Sequence, residues 1–89
     1  MSDIETDAIS AILREYAEAS ARFRPFASAH EGIAVIEEEF LELREEVFHG
    51  TEDGQFKEAV QLGAMALRFL IDVAAPANRA QKSEDQEES

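Results

Sequence analysis

The 89-residue chain contains no cysteine and no tryptophan, and only eight basic residues against twenty acidic ones. The missing cysteines exclude disulfides, thiolate zinc sites and thiol nucleophiles together. Only two histidines, His30 and His49, remain as nitrogen ligands or general bases. The scarcity of positive charge leaves a formal net charge of −12. Such a chain is disfavoured on a polyanionic duplex or an anionic bilayer unless something cationic intervenes, and a metal ion is the obvious intermediary. No apolar run approaches the ~20 residues of a membrane span. The first residues, Met1 to Glu5, lack the basic and apolar regions of a signal peptide. The expectation is a cytoplasmic protein with no membrane and no direct nucleic-acid partner.

Strand signals are nearly absent too, because β-branched residues are scattered and no alternating run persists. Apolar residues recur instead at helical spacing, which predicts an all-α fold. Ser2 and Glu5 form a capping-box pattern ahead of Ile9, Ile12, Leu13 and Tyr16, and Pro25 sets the latest end of this first helix. Ser28 and Glu31 repeat the pattern ahead of Ile33, Ile36, Phe40, Leu43 and Val47, which follow in alternating steps of three and four. Gly50 is the natural C-cap. After an acidic link, Thr51 to Gly54, a third helix is expected from about Gln55 to Ala75, ended by Pro76. Its apolar residues cover most of the circumference and leave one polar wedge of Lys57, Glu58, Gln61, Arg68 and Asp72. Residues 77–89, without aromatic or large aliphatic side chains, read as a disordered acidic tail behind a single domain over 1–76.

A chain this short buries only roughly 60% of the surface its unfolded form exposes, so its own core is marginal. The third helix has more apolar circumference than two neighbours can cover, and Leu41 and Phe48 add a second apolar strip to the second helix. Both features predict a small helical bundle completed by self-association, as a homodimer or homotetramer.

The second helix carries seven carboxylates, among them Glu38, Glu39, Glu42, Glu45 and Glu46. An acidic helix of this kind is ordinarily a solvated face. Glu39 and Glu46, however, fall at the edge of the apolar stripe, and Glu42 sits one turn from each on the same side. Glu58 lies within the third helix's apolar surface, where a carboxylate is costly unless paired or metal-bound; a first-turn role favoured by the helix dipole is the competing explanation. Glu39, Glu42 and Glu58 together would offer only hard oxygen ligands, which suit Mg²⁺ or Mn²⁺ rather than zinc.

Glu38, Glu39 and Glu42, followed after fifteen residues by Glu58 and Gln61, resemble the E-E-x-x-E … E-x-x-D signature of the MazG-like all-α nucleoside triphosphate pyrophosphohydrolases. The likeness extends over roughly residues 26–74, in the style of the short bacterial and phage members. What the resemblance implies is Mg²⁺-dependent hydrolysis of a nucleoside triphosphate to the monophosphate and pyrophosphate, run by oligomers whose paired helices form four-helix bundles. On the matching positions it implies Glu39, Glu42, Glu58 and Gln61 as metal ligands and Glu38 as a catalytic, water-orienting carboxylate. Gln61 departs from the pattern, since an amide supplies one neutral oxygen where the family has Asp. Asp72, on the same wedge, is a candidate to compensate or to pair with Arg68, and Arg68 a candidate to meet phosphate. The alternative is a non-catalytic helical oligomerisation or protein-interaction module that keeps the same fold.

Overall fold

The computed structural model describes residues 3–88, with side chains through Lys82. Its architecture is all-helical among those residues: α1 spans Asp3–Arg22, α2 Ala29–His49 and α3 Glu52–Phe69. A π-helical segment, Leu70–Ala74, then leads without a break into α4, Ala75–Glu88. Helix α3 is the central element, packing on α2 along one flank and on α1 along the other, while α1 and α2 barely touch.

The helix starts follow from local chemistry. The Ser28 hydroxyl accepts from the Glu31 N–H at 3.1 Å. Glu31 reaches one residue further back than a simple capping box, accepting from the Ala27 N–H at 3.1 Å, and its carboxylate also binds Arg24. Ser2 lies outside the described residues. Helix α3 begins earlier than its expected start near Gln55, because Thr51 is its N-cap and accepts from the Gly54 N–H. The acidic link is therefore the cap and first turn of α3, where Glu52 and Asp53 favour the positive end of the dipole. Gly50 closes α2, its N–H donating to the Glu46 carbonyl. The side chain of Glu46, which sits at the apolar edge of α2, turns to this junction and accepts from the Thr51 N–H.

Pro76 does not end the third helix. A proline inside an α-helix lacks an N–H and crowds the carbonyl four residues back, here that of Asp72. The π segment widens the turn at that point, with the Ala75 N–H donating five residues back to Leu70. The chain beyond is helical as far as Glu88 rather than irregular. Ala77, Arg79, Ala80, Gln81 and Lys82 are mostly good helix formers, and they extend a helix already nucleated. Among the described residues, α4 is in close contact chiefly with the π segment it continues.

This continuity also changes the reading of the apolar runs. The helix Glu52–Lys82 is long and apolar enough, by length and composition alone, to cross a bilayer. In the sequence that run is interrupted by Arg68, Asp72 and Pro76. All three are accommodated inside one helix, and both charged residues are bonded to the α1–α2 loop.

The core is small. Ala19, Phe26, Ala64 and Met65 are its buried apolar residues, with Tyr16, Val35, Ile36, Phe69 and Val73 packed around them. Close approach of the elements depends on two glycines: a Cβ at Gly32 would stand 2.5 Å from the Phe69 ring, and one at Gly63 would stand 2.9 Å from Ile12. Much of the apolar surface stays uncovered. Ile33, Phe40 and Val47, seven residues apart on α2, are each more than half exposed, as are Phe56 on α3 and Leu70 at the start of the π segment. Ala59 and Ala66 continue that α3 stripe at heptad spacing and are exposed as well. The accessible surface of 6705 Å² exceeds the roughly 5,200 Å² of a compact monomer of this mass. The radius of gyration, 15.7 Å, likewise exceeds the roughly 12 Å of a compact globule of this length. The projecting α4 and the shallow three-helix layer both contribute.

Candidate metal centre

Apart from the exposed Lys57, the polar wedge of α3 is turned inward. Met65 and Arg68 are buried, Glu58, Gln61 and Asp72 are half-buried, and the exposed side of the helix carries Phe56, Ala59, Ala66 and Leu70. Facing the wedge across the α2–α3 contact are the carboxylates of α2. The structure brings Glu39, Glu42 and Glu58 together, with one oxygen of each lying within 4.8 Å of the others. Glu39 and Glu42 are neighbours at i and i+3 on α2, and the antiparallel hairpin sets Glu58 of α3 against them.

Electrostatics in this cluster are unrelieved. Oε2 of Glu39 and Oε2 of Glu58 are both buried and have no hydrogen-bond partner among the described residues. Burial is the main force pushing the Glu39 carboxyl up to about 7, followed by the charges of Glu42 and Glu58 and hydrogen bonding to Glu42. Glu58 is raised as well, by burial first and then by its hydrogen bond and charge interaction with Glu42. Lys57 opposes that shift but does not cancel it. Buried acceptors without donors are expensive, and a hard divalent cation is the partner that satisfies several carboxylate oxygens at once. The donor set and its two orphaned oxygens therefore fit Mg²⁺ or Mn²⁺.

The remaining sequence candidates divide into two groups. Glu38 and Gln61 line a cavity of about 560 Å³ between α1 and α2, together with Glu39. Glu38 is exposed there and contributes to raising Glu39, while Gln61 stands one turn beyond Glu58. Arg68, which lines the same cavity, and Asp72 form a loop clamp. Nη2 of Arg68 donates to the Arg24 carbonyl at 2.8 Å, and Oδ2 of Asp72 accepts from the Phe26 N–H at 3.0 Å. The two peptide groups flanking Pro25 are thereby fixed to α3. No salt bridge joins Arg68 to Asp72 among the described residues, and the expected pairing gives way to these backbone bonds.

Sequence reasoning missed the α1–α2 loop as part of this region. Phe23, Arg24 and Phe26 line the cavity, and the Arg68 guanidinium stacks over the Phe26 ring at 4.4 Å from its centroid. The signal was present, since a Phe-Arg-Pro-Phe run between two helices has no reason to be aromatic unless it covers something. Comparison with protein-family models, curated proteins and solved structures finds no match to this chain.

The raised carboxyls set a pH dependence. Between the ordinary carboxyl value and about 7 the native state holds protons that the unfolded chain has released. This contribution to stability is intact below about 4.5, and it is lost as pH rises through 7. In metal-free buffer, thermal melts between pH 5 and 8 should show the wild type losing more stability than Glu39→Gln, whose amide cannot ionise. Parallel curves for the two proteins would show that Glu39 is an ordinary solvated carboxylate.

Proposed function

We propose that the chain is a Mg²⁺-dependent nucleoside triphosphate pyrophosphohydrolase of the MazG-like type, with Glu39, Glu42 and Glu58 as its metal ligands. The observation that carries this reading is the convergence of these three carboxylates from two helices, two of them with a buried oxygen that has no partner. A bound divalent cation supplies neutralisation of triphosphate charge and activation of water. The chain's own contribution is to shield one oxygen each of Glu39 and Glu58 from bulk solvent, to bring the exposed Glu42 beside them, and to set Glu38 and Gln61 nearby. Glu38, exposed at the rim of the cavity, is placed to orient or accept a proton from an attacking water. Gln61 offers a neutral oxygen to the cation. A chain with eight basic residues has few groups to hold a triphosphate directly, which makes the metal the main counter-charge.

The activity test is a pyrophosphate-release screen over common and damaged nucleoside triphosphates with Mg²⁺ and with Mn²⁺. The expected result is release by the wild type, loss to background in Glu39→Gln, and a faster rate in Gln61→Asp, which restores a charged ligand. Absence of release in both wild type and Gln61→Asp would leave the alternative, a non-catalytic interaction module. The observation that favours the alternative is the breadth of uncovered apolar surface on α2 and α3.

Under either reading we infer that a second copy covers that surface. The stripes Ile33, Phe40, Val47 and Phe56, Ala59, Ala66, Leu70 follow heptad spacing, and pairing two α2–α3 hairpins through them completes a four-helix bundle. The excess surface is of the order needed, since a standard interface buries about 800 Å² per partner. Such pairing leaves the acidic cluster and its cavity open, because they lie on the other side of α3. Sedimentation should give a dimer or tetramer at micromolar concentration, shifted towards monomer by Phe40→Glu. A folded wild-type monomer at that concentration would contradict the assembly.

A further inference from the structure

One buried charge has no role in the metal chemistry. Arg68 is 4% exposed, and its guanidinium meets a backbone carbonyl, the Met65 sulfur and the face of Phe26, none of them negatively charged. The nearest carboxylates are otherwise engaged. Asp72 holds the Phe26 N–H, and Glu31 is bound by Arg24 and the Ala27 N–H. A guanidinium has five donors, so the two hydrogen bonds it makes leave others uncommitted. Glu31 feels this charge but is bonded to Arg24, so the guanidinium is buried with no carboxylate bonded to it, a costly setting in which a neutral donor would serve the Arg24 carbonyl equally well.

Arg68 stands on the wall of the same cavity that Glu38, Glu39 and Gln61 line. From Gln61 to Arg68 the wall runs two turns along α3, a rise of about 10 Å. Between them lie apolar surfaces from Met65, Val35 and Phe26. The cavity therefore has Glu38 and Glu39 at one end, an apolar middle suited to a flat ring, and at the other a rigidly held planar donor beside the Arg24–Glu31 pair, while Glu15, Glu18 and Arg22 of α1 also line it.

We propose that this cavity takes the base of a nucleotide and that Arg68 is its specificity-determining residue, selecting bases that turn carbonyl oxygens to the guanidinium, such as guanine, uracil or thymine, over adenine. Adenine carries an exocyclic amino group where guanine carries a carbonyl, so it sets donor against donor. The choice of a nucleotide as ligand rests on the pyrophosphohydrolase reading. The cavity and the uncommitted donors of Arg68 do not.

Metal-free nucleosides separate the two. Uridine, guanosine and adenosine carry no phosphate, so their binding is independent of the acidic cluster. Titrating each into isotope-labelled wild-type protein with chelator present, and following the methyl signals of Met65, Val35 and Ala19, should show those signals moving with uridine and guanosine. Adenosine should bind at least about tenfold more weakly, the discrimination of one good base-edge contact. Arg68→Lys keeps the charge but loses the planar fork, and the preference should disappear. Should that variant fail to fold, the wild-type methyl map decides alone. Equal affinity for adenosine, shifts confined to the exposed apolar stripes, or no shift at millimolar nucleoside would overturn the proposal. Base binding with no pyrophosphate release would overturn the hydrolase and leave this site standing, and release without base discrimination would do the reverse.

Discussion

The inward turn of α3's polar wedge is the constraint on which the rest of the molecule depends. An amphipathic surface helix ordinarily buries its apolar side and gives its charges to water. Here Arg68 and Asp72 grip the peptide groups on either side of Pro25, and this grip orients the helix with Met65 and Arg68 inside. Two consequences follow together. Glu58 is carried into partly desolvated contact with Glu39 and Glu42, and the apolar stripe from Phe56 to Leu70 is left bare. The carboxylate cluster and the exposed apolar stripe are thus the two sides of one helix, produced by a single rotational choice.

Much of this was legible in the sequence, for identifiable reasons. Helical periodicity was strong enough to give the three helices, and Ser28 and Gly50 marked the ends of α2 correctly because their caps are local. The cluster of Glu39, Glu42 and Glu58 was legible because positions at i and i+3 fix a shared face and a short hairpin brings the next helix back against it. The excess apolar circumference of α3 was visible too. Its orientation was not. A wheel places the polar wedge opposite the apolar arc without saying which side meets the neighbours, and the loop clamp that decides it depends on residues forty-odd positions apart.

The errors came where one local rule was overridden by a local adjustment. Pro76 is a reliable helix stop only if the preceding turn stays α-helical, and the π segment at Leu70–Ala74 removes that condition. The acidic link ahead of the expected start near Gln55 is itself helical, because Thr51 caps it and the dipole favours Glu52 and Asp53. Arg68 and Asp72 were natural partners at i and i+4. Each instead found a backbone group of the loop, because an unmet peptide N–H or carbonyl in a part-buried position is itself costly.

The central claim is that the inward wedge builds a cation site from Glu39, Glu42 and Glu58. Paramagnetic resonance of Mn²⁺ tests it without reference to substrate or turnover, since the free aqueous ion gives a sharp signal that broadens away on binding. Adding wild-type protein should quench the free-ion signal in a saturable way, Mg²⁺ should restore it by competition, and Glu58→Gln should quench it markedly less. A wild-type protein that leaves the free Mn²⁺ signal unchanged at millimolar metal, near pH 8 and so above the Glu39 value of about 7, would contradict the account.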